Sequence, residues 1–220
     1  MLRLKARAII VYYFMLIKLY PENPDSRKLE GIITTLQKDG IIIYPTDTVY
    51  AIGCNMKSQK AIERVCQIIG KKPENANLSL ICYDLSNIAE YTTPFSNTIF
   101  KMMKRCLPGP YTFILNANHN VPKLFQNKKK TIGIRVPDNN IPREIVRFLG
   151  NPIITASLRV DDDLEYYTDP ELIHDEYGEL VDIVIDGGMG EMDASTIIDC
   201  TGDEMELVRQ GKGLVDILAD

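Results

Sequence analysis

The sequence predicts an α/β fold, because short β-branched runs alternate with segments of helical periodicity along most of the chain. The chain has 220 residues, of which 45% are hydrophobic and 25% are charged. This length and balance are typical of an ordinary globular protein and exclude the disordered and fibrous classes. No internal repeat and no Ser/Gly-rich linker divides the chain, so we expect a single domain.

The first half of the chain begins with a strand and a helix. Residues 15–20 alternate as in a strand, and the next apolar residues have helical spacing before a glycine stop at Gly40. The β-branched run 41–44 is closed by Pro45, which is typical of a strand buried on both faces. Ser58 is placed to cap a second helix that ends near Gly70, and a strand is predicted over 78–83.

The second half repeats this rhythm. A helix over about 99–106 is broken by Pro108-Gly109-Pro110, and strands are predicted at 111–115 and 131–136. Pro142 marks the start of the next helix, and Asp169-Pro170 opens a short one. The remaining predicted strands span 153–156, 181–185, 196–199 and 205–209.

Charge and cysteine spacing narrow the classes of function. The formal net charge is −5, so no overall positive field attracts nucleic acid, and an anion site must be a local cluster of cations. The five cysteines include no CxxC pair, and the chain has only two histidines, His119 and His174. This suits neither a disulfide framework nor a zinc site, so we expect no metal site and a cytoplasmic location.

Residues 1–14 are interpreted as an extension or a misplaced start. Three basic residues precede an apolar run from Ala8 to Ile17, as in a signal peptide. Lys18 ends that run, no small-residue cleavage site follows, and the run is far shorter than the ~20 residues of a membrane span. Because the strand pattern begins at Met15, we expect the domain to occupy residues 15–220.

Two groups of residues, one after the second helix and one after a buried strand, are candidates for a ligand site. Gly70-Lys71-Lys72 is not a phosphate loop, because the glycine required five positions earlier is Val65. The two lysines either bind an anion or only interact with the helix dipole. Thr46 and Thr48 follow a buried strand, at the edge where α/β sheets present their ligands.

Strand alternation over 131–136 places Arg135 on the face opposite the apolar residues. Gly133 leaves room beside it for a ligand or a second backbone, and a guanidinium can hold a carboxylate or phosphate through two parallel hydrogen bonds. The alternative is a solvated arginine at a sheet edge. The lysines at 128–130 either extend a positive rim or are only solvated. Ser157 follows the predicted strand 153–156, and Thr46 and Thr48 follow the strand 41–44. If these two strands are parallel, the three hydroxyl groups lie at the same level of the sheet.

Several motifs in a fixed order resemble the YrdC-like domain family over about residues 15–218. They are residues 44–53, 108–112, 133–137, Ser157, 195–199 and Arg209. Within that family the sequence is most similar to the YciO-like branch, judging from residues 77–82, 130–137 and 186–188.

The resemblance implies an open, twisted sheet of parallel and antiparallel strands with helices on its faces and a concave, positively charged ligand cavity. It also implies synthesis of threonylcarbamoyl-AMP from ATP, L-threonine and bicarbonate for modification of tRNA adenosine 37, with Mg²⁺ assisting. By this analogy Thr46, Thr48 and Arg135 bind threonine. Lys71 or Lys72, Ser157, Arg159 and Arg209 then face the nucleotide.

The sequence departs from the synthase pattern at four positions. Gly70 and Lys72 stand where the synthases carry Lys and Arg, Arg159 replaces an asparagine, and Cys82 stands where a histidine is expected. We therefore expect a weak or divergent synthase. The alternatives are a nucleotide- or RNA-binding module without turnover and a threonylcarbamoyl-AMP hydrolase.

Overall fold

A computed structural model describes residues 15–122, 130–158 and 168–215, and within these ranges the α/β prediction is confirmed. The expectations for residues 1–14, Lys128, Lys129 and Arg159 lie outside the described residues. The division into an extension and a domain over 15–220 stays a prediction. The described strands are β1 (Met15–Lys18), β2 (Ile41–Tyr44), β3 (Ala51–Asn55), β4 (Ser79–Ile81), β5 (Tyr111–Asn116), β6 (Thr131–Arg135), β7 (Ile153–Ser157), β8 (Ile183–Asp186), β9 (Thr196–Asp199) and β10 (Glu206–Arg209). The described α-helices are α1 (Ser26–Gln37), α2 (Gln59–Ile68), α3 (Asn97–Cys106), α4 (Asn140–Leu149) and α5 (Pro170–Tyr177).

The described strands form one open sheet in the order β1-β8-β2-β3-β7-β4-β6-β5-β9-β10. Parallel pairs, such as β4 with β6 and β5 with β9, adjoin antiparallel pairs, such as β3 with β7 and β5 with β6. The mixed sheet implied by the family resemblance is therefore confirmed.

The described helices are short and begin at side-chain caps. Ser58 accepts a hydrogen bond from the N–H of Ala61 at the start of α2, as its sequence position predicts. Asp25 caps α1 in the same way. α1 is the longest of them at 12 residues, and none in the described ranges is long and apolar enough to cross a membrane.

The end of α1 differs from the predicted glycine stop. The left-handed conformation, with a φ of 64°, belongs to Asp39. Gly40 is required for another reason, because a Cβ at that position would collide with the side chain and backbone of Thr35.

Strand β3 is missing from the sequence prediction, which treats residues 44–53 as a motif. It pairs antiparallel with β2 on one side and with β7 on the other. Gly53 at the centre of β3 leaves room for the Tyr44 ring to lie across this strand, since a Cβ there would lie 3.1 Å from Tyr44 Cε1.

The sheet separates two apolar layers. Helices α2, α3 and α5 pack on the face that carries Ile41 and Ile43, and α1 and α4 pack on the face that carries Ile42 and Tyr44. Strand β2 is thus buried on both faces, as predicted. Among the described residues, none from α1 or α4 lines the cavity that the chain forms around Arg135.

Candidate functional site

A cavity of about 600 Å³ lies on the sheet around Arg135, a size within the range of small-molecule sites. Six strands, the last residues of α2 and α5, and the segment after α2 contribute to its walls. The lining side chains that carry nitrogen or oxygen are Lys71, Asn77, Ser79, Thr112, Arg135, Thr155, Ser157, Tyr177, Ser195 and Arg209.

Sheet register brings these residues together from distant parts of the sequence. Ser79 in β4 pairs with Thr155 in β7, and Thr112 and Arg209 both pair with Ile197 in β9. Directly paired residues point to the same face of a sheet. The cavity is therefore built by strand pairing rather than by one continuous loop.

Arg135 is a buried member of this cavity, with 4% of its surface exposed. Its Nη2 donates to Asp47 Oδ1 at 3.0 Å and to Thr48 Oγ1 at 2.9 Å, whereas its buried Nε has no hydrogen-bond partner. The alternative of a solvated edge arginine is wrong, because β6 lies inside the sheet between β4 and β5.

Burial and the neighbouring carboxylate act on Arg135 in opposite directions. Burial lowers the pKa of the guanidinium from its ordinary value, and the charge of Asp47 raises it again. Because an arginine guanidinium is not deprotonated in proteins, Arg135 is a fixed cation at the wall of the cavity.

Thr46 and Thr48 are buried but do not line the cavity. Thr46 Oγ1 lies 3.0 Å from Thr48 Oγ1 and donates to the carbonyl oxygen of Val49 at 2.9 Å. Thr48 supports the site through its hydrogen bond from Arg135. Direct substrate binding by the two threonines stays a prediction.

The space beside Gly133 is real, but protein side chains fill it. A Cβ at Gly133 would collide with the side chain of Ser79 and lie 3.2 Å from Thr112 Cγ2. The glycine therefore permits the close approach of two lining residues, where the sequence suggested a ligand or a second backbone.

Arg209 lines the cavity at the far end of the same sheet region. Its Nε and Nη2 donate to the carbonyl oxygen of Ser195 at 3.2 and 2.7 Å. Ser195 Oγ in turn lies 2.8 Å from Thr112 Oγ1. These bonds give this wall a fixed cation beside two hydroxyl groups.

The other predicted nucleotide-side residues divide into two groups. Lys71 and Ser157 line the cavity, and Lys72, which precedes a short 3-10 turn, does not. Strands β2 and β7 both pair antiparallel with β3, and Ala51 of β3 pairs with Tyr44 of β2 and with Ser157 of β7. Ser157 is therefore level with the end of β2.

Sequence reasoning did not single out Asp47, Ser79, Thr112 or Ser195 as site residues. The sequence shows that Asp47 lies between two candidate threonines. It does not show the ion pair of Asp47 with Arg135, because these residues are 88 positions apart. Only the folded structure shows that contact.

Comparison with known proteins decides the family. The sequence model of the Sua5/YciO/YrdC family, described as telomere recombination, matches residues 34–211. The chain belongs to this family. The resemblance predicted from the motifs is therefore confirmed.

Three relatives are similar to this chain, one of them both in sequence and in its crystal structure. YciO of Escherichia coli K12 is 39% identical over 196 residues, covering 89% of this chain and 94% of YciO. The E. coli YciO crystal structure has a TM-score of 0.86, covering 92% of this chain and 98% of that chain. The threonylcarbamoyl-AMP synthase of Photorhabdus laumondii is 29% identical over 192 residues, covering 86% and 99% of the two chains. The structure of P. abyssi Sua5 in complex with L-threonine has the same fold, with a TM-score of 0.81 and 22% sequence identity. The match covers 90% of this chain and 57% of that chain.

Two positions that depart from the synthase pattern of this family have distinct surroundings. Gly70 has a left-handed φ of 67° and no atom within 4 Å of a Cβ added there, so a side chain fits sterically but strains the backbone. Cys82 is fully buried, and its N–H donates to the carbonyl oxygen of Arg135 at 2.9 Å.

The Cys82 side chain belongs to a second, smaller region of the molecule. It lines a cavity of about 190 Å³ together with Tyr83, Tyr91 and Asn151, apart from the residues around Arg135. Burial raises the pKa of its thiol to about 12. The residue is therefore a neutral thiol at neutral pH and adds no charge to the main cavity.

Proposed function

We propose that this protein is a slow, divergent threonylcarbamoyl-AMP synthase that acts on L-threonine, bicarbonate and ATP in the pathway of tRNA adenosine 37 modification. The amine of threonine forms a bond with the bicarbonate carbon. An oxygen of the resulting carbamate bonds to the α-phosphorus of ATP, and water and diphosphate leave. The relatives named threonylcarbamoyl-AMP synthase and the Sua5 complex with L-threonine support this proposal.

The state of Arg135 carries the proposal. Arg135 lines the cavity with little access to water, and a charged group that has lost its water is stabilised by a ligand that supplies acceptors. An amino-acid carboxylate is a suitable partner, because charged hydrogen bonds are among the strongest in proteins.

The spacing of the cations suits a ligand with two anionic groups. In the antiparallel pair of β5 and β6, Phe113 pairs with Ile134, so Thr112 lies opposite Arg135. Thr112 also pairs with Ile197 of β9. Ile197 in turn pairs with Arg209 of β10. Arg135 and Arg209 are thus three strands apart, or roughly 14 Å between their backbones. Threonylcarbamoyl-AMP carries a carboxylate and a phosphate, which we assign to Arg135 and to Arg209, respectively.

The composition of the cavity favours synthesis over hydrolysis. Among the described residues that line it there is no Asp, Glu or His, so these walls offer no carboxylate or imidazole to activate water. Reaction would depend on positioning the three reactants and neutralising phosphate charge with Lys71 and Arg209.

The described walls of the cavity also supply no carboxylate to hold Mg²⁺. We therefore expect any Mg²⁺ to enter as the complex of the nucleotide phosphates, as part of the substrate. Groups on this chain would bind the phosphate oxygens that the ion leaves free.

Calorimetric titration of L-threonine and of a non-hydrolysable ATP analogue tests the assignment. We expect Arg135→Ala to weaken threonine binding by about 10- to 150-fold, which corresponds to about 1.5–3 kcal/mol for hydrogen bonds to charged groups, and to affect the nucleotide less. Arg64→Ala is the matched control, because Arg64 forms an ion pair with Asp182 away from the cavity. Unchanged threonine affinity in Arg135→Ala would contradict the assignment.

A further inference from the structure

The smaller cavity, of about 190 Å³ beside Cys82, has no part in the proposed function. Among the described residues, its lining shares none with the cavity around Arg135. Sheet register places it at the end of β4 and the start of β7: Ile81 pairs with Ile153 in this antiparallel pair, so Cys82 lies opposite Pro152, and both line the cavity. At ~30 Å³ for each water molecule, the space holds about six waters or one small ligand.

Asn151 presents an unused acceptor to this cavity. The residue is 8% exposed, and its Nδ2 donates to Asn55 Oδ1 at 3.0 Å and to the carbonyl oxygen of Pro152 at 2.9 Å, which fixes the orientation of the amide. None of the described residues donates to its Oδ1. This oxygen is not fully enclosed, because in the described part of the chain Arg135 Nε is the one fully buried side-chain nitrogen or oxygen without a partner. Since Asn151 lines the cavity, a ligand there can reach the oxygen.

The buried part of the lining is neutral. Cys82 is fully buried and Tyr91 is 9% exposed, and burial raises the pKa of each to about 12, so both stay protonated at neutral pH. The charged residues among the described lining, Glu90 and Arg147, are exposed. A charged group beside Cys82 and Asn151 would lose water without gaining a compensating charge. We therefore expect the buried part of a ligand to be neutral.

The hydrogen-bonding groups narrow the class of ligand. Asn151 Oδ1 accepts, and the Cys82 thiol, which makes no side-chain hydrogen bond with the described residues, can donate weakly. A primary amide offers the complement of both, and Tyr83 and Tyr91 in the lining favour a planar molecule. We propose that this cavity binds a small, neutral, planar primary amide, whose N–H donates to Asn151 Oδ1.

Two probes of the same shape test the hydrogen bond. Acetophenone carries a methyl group where benzamide carries its NH₂. Each is titrated into the full, isotope-labelled chain, and NMR follows the backbone amide signals of Cys82, Gly150 and Asn151. We expect benzamide to shift these signals and to bind at least about 5-fold more tightly than acetophenone, which is within the range of one net hydrogen bond. Equal affinities, no shift, or shifts confined to Ser195 in the other cavity would overturn the inference.

Two charged probes test the neutrality of the site. Benzoate and benzamidine have nearly the shape of benzamide but carry a negative and a positive charge, respectively. We expect each to bind at least about 5-fold more weakly than benzamide, because neither charge finds a counterion among the buried lining residues. Tighter binding of either charged probe would contradict the assignment of a neutral ligand.

A pair of variants tests the role of Asn151. Asn151→Leu removes the acceptor at similar side-chain size, and the ratio of benzamide to acetophenone affinity should fall to about one. Asn140→Leu is the matched control, because Asn140 also donates to a proline carbonyl oxygen, that of Pro21 at 3.0 Å, but lies outside the cavity. Its ratio should equal that of wild type.

Thermal melting identifies a variant that does not fold. If Asn151→Leu fails to fold, the comparison of the two probes in wild type still decides whether the cavity uses a donor on the ligand. If Asn151→Leu folds and keeps the ratio of wild type, Asn151 is not the acceptor and the inference is wrong. These measurements need no turnover, so their outcome is independent of the proposed function.

Discussion

Tyr44 donates its phenolic hydrogen to Thr155 Oγ1 at 2.7 Å, although strand β3 lies between their strands. Thr155 lines the cavity, whereas Tyr44 is fully buried among the residues under α1 and α4. The hydrogen bond thus connects the core with the floor of the candidate site. Gly53 leaves room for this crossing, because a Cβ there would lie 2.5 Å from the backbone oxygen of Ile154 and 3.3 Å from the Tyr44 hydroxyl oxygen.

The first prediction concerns this hydrogen bond. Tyr44→Phe should lower the free energy of unfolding by about 1 kcal/mol, the usual net value of a hydrogen bond, because Thr155 still donates to the Ile52 carbonyl oxygen at 3.3 Å. Urea unfolding measures the change. Tyr20→Phe is the control, since Tyr20 is 61% exposed. Equal stability of Tyr44→Phe and wild type would show that the bond adds nothing.

A second prediction separates backbone strain from steric fit at Gly70. Gly70→Ala should destabilise the protein by roughly 1 kcal/mol, because a residue with a Cβ is disfavoured at a φ of 67°. Gly31→Ala is the matched variant: Gly31 also has open space around a Cβ, but it lies inside α1, where alanine should stabilise by about 0.5–1 kcal/mol. The same sign for both variants in thermal unfolding would contradict the strain argument.

A third prediction concerns alkaline pH. Burial raises the pKa of the Cys82 thiol from 9.0 to about 12, and that of Cys200 also to about 12. Above pH 9 the unfolded chain loses these protons while the folded chain keeps them, so the free energy of unfolding should fall as pH rises from 9 to 12. Each group contributes at most about 1.4 kcal/mol per pH unit. Chemical unfolding across this range should show a smaller slope for Cys82→Ala, and an unchanged slope would count against burial of the thiol.

The fourth prediction concerns the departures from the synthase pattern. Lys72 does not line the cavity and carries a point charge where the synthases carry the planar fork of arginine, and Arg159 removes an amide acceptor. We expect synthesis at least about 10-fold below that of a synthase, a barrier difference of ~1.4 kcal/mol or more. The combined variant Gly70→Lys, Lys72→Arg and Arg159→Asn should raise the rate. Gly70→Ala is the control, because it carries the same backbone strain without the charge. Robust synthesis by wild type would contradict this prediction.

Local patterns predicted most of the fold, but they did not reveal every strand. Ser58 and the helical spacing that follows it identify α2, because a cap and an amphipathic face are both encoded within one turn or two. Strand β3 lacks such a signal, since a glycine interrupts its five residues and its burial depends on β2 and β7.

The candidate site also combines residues that local patterns predict with contacts that depend on the folded chain. Alternation correctly placed Arg135 on the face opposite the apolar residues, and family motifs pointed to Lys71, Ser157 and Arg209, which line the cavity. The ion pair with Asp47 and the separation of Lys72 from the cavity depend on strand order and on the 3-10 turn after α2. No window of consecutive residues contains that information.

Product formation tests the central claim most directly. Purified protein is incubated with ATP, Mg²⁺, L-threonine and labelled bicarbonate, and threonylcarbamoyl-AMP and diphosphate are quantified by chromatography. The account predicts slow formation of both in equal amounts, dependent on all three substrates and lost in Arg135→Ala but not in Arg64→Ala. Absence of labelled product, together with absence of threonine binding to wild type, would contradict it and would favour a nucleotide- or RNA-binding module without turnover.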